Sequence, residues 1–221
     1  MYFGLHKADN DNGSRMDIYF QHFCRYLPLM RQGFYWKYGM RIAHYEIWRK
    51  MFDMRELENR CFCFDDRSLS ECDGYTDMSG CFNGLPMALS FRHFYGSRIL
   101  NGQIYGFDPN WDKHGSHIDI ESTVGLPLEV NIQLQFNIMT RNLPNFGSLR
   151  KIRSKMMPFF AIDVKAESEG QLLVTILFLS FLVNYLKYLL AIGALKLKKK
   201  IQVQVERSHK NNLKTTQWGN N

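Results

Sequence analysis

The chain has 221 residues, a formal net charge of +7, 45% hydrophobic residues and 22% charged residues. Those proportions exclude a wholly disordered chain, and 16 glycines with 6 prolines exclude collagen-like and low-complexity classes. The charge is local: residues 1–171 hold 20 basic and 20 acidic side chains, while residues 196–221 hold seven basic against one acidic, so no basic nucleic-acid-binding domain is encoded.

Taken in chain order, residues 1–10 (MYFGLHKADN) have neither the basic start nor the apolar stretch of a secretory signal. Asn12-Gly13-Ser14 is a glycosylation sequon, meaningful only if this segment faces the exoplasmic side. Residues 45–52 are ambiguous between helix and strand. Cys61, Cys63, Cys72 and Cys81 cluster, with Cys24 upstream. Their gaps of one, eight and eight residues are unlike the two-to-four spacing of structural zinc sites, and a disulfide framework is the favoured reading. Spacing does not assign the partners.

Residues 87–95 and 99–107 read as short strands between glycine-rich breaks. His114, His117, Asp119 and Glu121 are metal-ligand types, but a solvated strand face over 117–121 is the favoured reading, and no metal is assigned. Residues 128–140 (LEVNIQLQFNIMT) give the best strand signal. Leu128, Val130, Ile132, Leu134, Phe136 and Ile138 alternate with Glu129, Asn131, Gln133, Gln135 and Asn137, which predicts a long, half-buried antiparallel strand. No Ser/His/Asp motif, G-x-G-x-x-G loop or Walker-type loop occurs. An enzyme is not expected, and neither is a cofactor.

Residues 172–195 (LLVTILFLSFLVNYLKYLLAIGAL) are apolar except for Asn184 and Lys187. As a helix this run reaches about 36 Å, against the ~30 Å of a bilayer core. Lys187 lies about two turns from the C-terminal end, where its amine can snorkel to the interface. Lys196, Lys198, Lys199 and Lys200 follow, marking the cytoplasmic side. The resulting layout is an exoplasmic segment 1–170, a transmembrane helix 171–195 and a basic cytoplasmic tail 196–221. This orientation implies a translocation element upstream of the given sequence.

Several ordered motifs resemble the class B scavenger receptors: Cys61-Phe62-Cys63, Cys72-Asp73-Gly74, Asp77-Met78-Ser79-Gly80-Cys81, Gly84-Leu85-Pro86 and Ser90-Phe91-Arg92-His93-Phe94. Gly106-Phe107-Asp108-Pro109-Asn110, Ile118-Asp119-Ile120-Glu121, Thr123-Val124-Gly125 and the upstream Cys24-Arg25 extend the likeness over roughly residues 20–200, with poor matches in 26–58. The resemblance implies a β-rich α+β ectodomain with an antiparallel, disulfide-linked sheet, followed by one transmembrane helix. It implies the pairs Cys24 with Cys81 and Cys63 with Cys72, a glycan on Asn12, and an unpaired Cys61 whose family partner would lie upstream. Only the C-terminal half of such a receptor is matched, as in a truncated or divergent copy. The implied function is a plasma-membrane receptor for lipids or lipoproteins (fatty acids, sterols, carotenoids or similar), serving uptake or signalling. A lysosomal or trafficking receptor with a protein cargo is the alternative. The apolar face of 128–138 lines either the core or a lipid tunnel, with core preferred, and no lipid-contact residue is assigned.

Overall fold

The computed structural model describes residues 2–4, 15–63, 71–102, 104–140 and 156–218. It divides into two units, Met1–Glu169 and Gly170–Asn221. Among the described residues the first unit contains nine strands, all paired antiparallel: β1 Tyr2–Gly4, β2 Arg15–Phe20, β3 Arg25–Lys37, β4 Met40–Ile47, β5 Thr76–Asp77, β6 Met87–Phe91, β7 His117–Glu121, β8 Pro127–Met139 and β9 Met156–Glu167. Their order is β1-β2-β3-β4-β7-β8-β6-β5, with β9 along the other edge of β8. A one-turn helix, α1 (Trp111–His114), precedes β7. Its N-cap Asn110 accepts the backbone N–H groups of Asp112 and Lys113.

β8 is the axis of the sheet. On one edge it pairs with β9 along its length; on the other it pairs first with β7 (through Asn131) and then with β6 (from Leu134). At the break between β7 and β6, Ser116 replaces the missing rungs. Its hydroxyl accepts the Gln133 N–H (2.8 Å) and donates to the Gln133 carbonyl (3.2 Å). The predicted apolar face of β8 contributes Ile132, Leu134 and Phe136 to the main core. There they meet Ile18, Leu27, Leu29, Ile47, Ile118 and Ile120 from neighbouring strands, and Phe52, Phe91 and Trp111. A second cluster gathers Met54, Cys72, Tyr75, Ala88, Phe94, Leu100 and Met156.

Three expectations change. The polar face of β8 is not solvated along its whole length: Gln133, Gln135 and Asn137 are buried, the first two against Arg92 and His93 after β6 and the third against Ser90 of β6. They are satisfied by side chains and backbone of the same region. Gln135 donates to Asn137 (2.6 Å), Asn137 donates to Ser90 Oγ (2.9 Å), and Gln135 accepts the His93 N–H (3.2 Å). The predicted strand 87–95 stops at Phe91, because His93 and Phe94 both take left-handed backbone angles (φ 54° and 57°). The described residues of the predicted strand 99–107 form turns, with Gly102 and Gly106 at φ 77° and 86° folding the run back on itself.

The second unit is one helix, α2 (Gly170–Trp218). Its segment Gly170–Val205 is long and apolar enough to cross a membrane by length and composition. The backbone remains helical beyond residue 195 and through the lysine cluster, so the predicted end of the span is a change of chemistry, not of conformation.

Candidate functional site

The sheet domain is cross-linked where its loops leave the strands. Cys24 takes a left-handed conformation (φ 45°) between a 3-10 turn and β3, and is bonded to Cys81 in the turn after β5, with Cα atoms 6.3 Å apart. Cys63, closing a second 3-10 segment, is bonded to Cys72, Cα to Cα 5.7 Å. Cys61 is an exposed free thiol that donates weakly to the Glu58 carbonyl. Asn12 lies outside the described residues.

Next to Cys24 in the chain is Arg25, buried at the start of β3. Its guanidinium donates to Thr76 Oγ1, to the Met51 carbonyl (3.3 Å) and to Asn59 Oδ1 (3.3 Å), and packs over the Phe62 and Phe52 rings at 4.1 and 5.5 Å. Nε has no partner among the described residues. Burial pushes its pKa down to about 10, offset in part by Cys61 and Glu58, so it remains charged at neutral pH. Asn59 in turn donates to the carbonyls of Lys50 and Asp53 (2.8 Å each). One buried cation thus ties β3, the 51–59 loop and β5 together.

The expected solvated face over 117–121 is not found, because β7 lies inside the sheet and buries Asp119 and Glu121; the metal-type residues take separate structural roles. Asp119 accepts from Tyr35 Oη (2.7 Å) and holds His44 Nδ1 at 2.6 Å, linking β3, β4 and β7. His117 packs at a tilt against His44 (centroids 5.4 Å, planes 40° apart) and faces Glu129 at 3.6 Å. Glu121 accepts the N–H groups of Thr123 and Val124 and caps the β7–β8 turn. His114 belongs to α1 and stacks on His93 (4.4 Å), whose other neighbour is Phe107 (4.8 Å). His93 Nδ1 accepts the Asp108 N–H at 2.9 Å, which holds this ring nitrogen unprotonated. Burial, followed by His114 and Arg92, depresses its pKa. Among the described residues no three metal-ligating groups converge.

Arg25 was named in the sequence only within the Cys24-Arg25 likeness and given no role; Tyr35, His44 and β9 escaped the sequence reading. A signal for Arg25 was present in its position beside Cys24. The β3–β4 hairpin was announced only by Tyr38-Gly39, a turn pair within the poorly matching stretch.

A disulfide-linked antiparallel domain joined to one helix apolar enough to span a bilayer defines a membrane-anchored, β-rich class of protein. The chain belongs to the CD36 family, the class B scavenger receptors, whose family model matches residues 4–198. Among curated proteins it is similar to scavenger receptor class B member 1 of Sus scrofa (27% identical, covering 62% of this chain and 28% of that protein). It is also similar to sensory neuron membrane protein 2 of Drosophila melanogaster (26%; 80% and 33%) and lysosome membrane protein 2 of Rattus norvegicus (27%; 64% and 29%). The matched part of the chain therefore spans about a third of the length of these relatives.

Proposed function

We propose that this chain is part of a membrane receptor that binds lipids or lipoproteins for uptake or signalling. In this reading residues 1–170 face the exoplasmic side, 171–195 cross the bilayer, and 196–221 form a basic cytoplasmic tail. The carrying observation is the apolar segment of α2 running into Lys196–Lys200, attached to a disulfide-linked sheet in a chain of this family. The lysine excess fits a cytoplasmic location under the positive-inside rule. Binding, not catalysis, is the proposed activity: moving an acyl chain from water to an apolar lumen contributes about 0.8 kcal/mol per methylene. Residence at the plasma membrane is proposed; residence in the lysosome is the second reading, favoured by the similarity to lysosome membrane protein 2.

The test is expression of the chain behind a cleavable signal sequence, which supplies translocation, in cultured cells, followed by carbonate extraction, surface biotinylation and uptake of a fluorescent long-chain fatty acid. The expected result is a carbonate-resistant, biotin-labelled protein that raises uptake above vector controls. Release by carbonate would remove the membrane reading. Carbonate resistance with no surface label would favour the lysosome.

The proposed covalent pattern is Cys24–Cys81, Cys63–Cys72, a reduced Cys61 and a glycan on Asn12. Non-reducing peptide mapping after alkylation should recover both linkages and an alkylated Cys61. A Cys61–Cys63 or Cys61–Cys72 peptide would refute it. Peptide N-glycosidase should lower the apparent mass, and Asn12→Gln should abolish that shift.

A further inference from the structure

The β3–β4 hairpin continues past a bulge between Arg31 and Gly33 to a two-residue turn at Tyr38-Gly39. Both turn residues have positive φ, 54° and 75°, as a tight hairpin of this hand requires. Asn or Gly fills the first position at low cost, whereas an aromatic residue there is strained. The strained residue is held out to solvent: Tyr38 is 58% exposed, Trp36 73% and Phe34 43%. Arg41 and Arg31 sit over the Phe34 ring at 3.8 and 4.7 Å, and neither has a carboxylate partner among the described residues. The tip therefore presents exposed Trp36 and Tyr38 rings beside a Phe34 ring covered by two guanidinium groups that lack carboxylate partners among the described residues.

Its position is fixed by the opposite side of the strand. Lys37 reaches Glu167 at 3.2 Å and Glu129 at 3.6 Å. Glu167 closes β9 and precedes by three residues Gly170, the first residue of the apolar segment. Three residues of chain extend at most about 10 Å. Aromatic residues of mixed polarity concentrate at the membrane interface, and guanidinium groups bind phosphate oxygens in pairs.

We propose that the hairpin tip, comprising Phe34, Trp36 and Tyr38 flanked by Arg31 and Arg41, docks on the phospholipid headgroup layer of the leaflet from which the chain enters the bilayer. The rings lie at the interface and the two arginines engage lipid phosphates. The proposal rests on the reading of Gly170–Val205 as a membrane span.

The test uses the full chain reconstituted in phosphatidylcholine vesicles whose acyl chains are brominated near the headgroup, a quencher of nearby tryptophan. The chain has four tryptophans, so Trp36→Phe should remove about a quarter of the emission and with it a disproportionate part of the quenched fraction. Arg31→Gln/Arg41→Gln, which retains Trp36, should reduce the quenching of that residue. The same quenched fraction in wild type and Trp36→Phe, in protein that resists carbonate, would overturn the docking and leave the span intact. That outcome would instead point to a protein partner for the tip. Unchanged quenching in the double arginine variant would overturn the phosphate contacts. Release of the wild-type chain by carbonate would overturn span and docking together.

Discussion

At the scale of single residues, Arg25 and His93 carry opposite expectations. Arg25→Ala strands Asn59 and Thr76 in a buried site and removes the cation that joins three segments, which should cost about 2–4 kcal/mol in a denaturant or thermal melt of the detergent-solubilised chain. Arg25→Lys should recover only part of this, because a single ammonium cannot replace a planar fork stacked on Phe62. His93 supplies a pH dependence. Its folded pKa lies below the ordinary 6.5, so between those values the unfolded chain binds more protons. Stability from this residue is fully present above pH 6.5 and is lost as the pH falls toward the folded value. Protonation would also break the Asp108 N–H bond and place a cation beside Arg92 and Lys113, with Asp108 as the opposing charge. Melting temperatures between pH 7 and 5 should fall less steeply for His93→Gln, whose amide oxygen can still accept that bond. Equal slopes would refute this role.

At the scale of elements, legibility followed the presence of a buried face. β8 was readable because alternation was needed to bury Leu134 and Phe136. Its polar side misled, because Gln133, Gln135 and Asn137 look like solvated residues until Ser90, Arg92 and His93 are known to pack against them. β9 gave no pattern: almost all of it is exposed, on both faces, so no alternation was required of Met157, Phe159, Phe160 and Val164. The outer arm of β3 is equally exposed, which explains why the hairpin went unread. The disulfides permit a ranking at this scale. Cys24–Cys81 joins positions 57 residues apart and Cys63–Cys72 joins positions 9 apart. Chain-entropy arguments assign them about 4 and about 2.5 kcal/mol. Cys24→Ser/Cys81→Ser should therefore lower the melting midpoint more than Cys63→Ser/Cys72→Ser; the reverse order would mean that native-state packing outweighs loop closure.

At the scale of the whole molecule, the +7 charge separates into a neutral sheet domain and a basic end, and that division was legible because charge position needs no tertiary information. Replacing Lys196, Lys198, Lys199 and Lys200 by Gln should reduce the fraction of chains with a cytoplasmic tail, read by protease protection of a C-terminal epitope. The residues of the candidate site were less legible, because Arg25 meets Thr76 and Asn59, and Tyr35 meets Asp119, across separations that only the fold creates. The role of β8 as shared partner of β6, β7 and β9 has a kinetic meaning. Any line that parts β6, β7 and β9 from one another must break a ladder of β8, and the pairings β4–β7 and β6–β8 close long stretches of chain. In native-state deuterium exchange the amides of Ile132, Gln133 and Leu134 should therefore exchange together, at the slow rate of global opening. Ser116→Ala should release Gln133 alone from that group, turning its amide into a local clock inside an otherwise cooperative sheet.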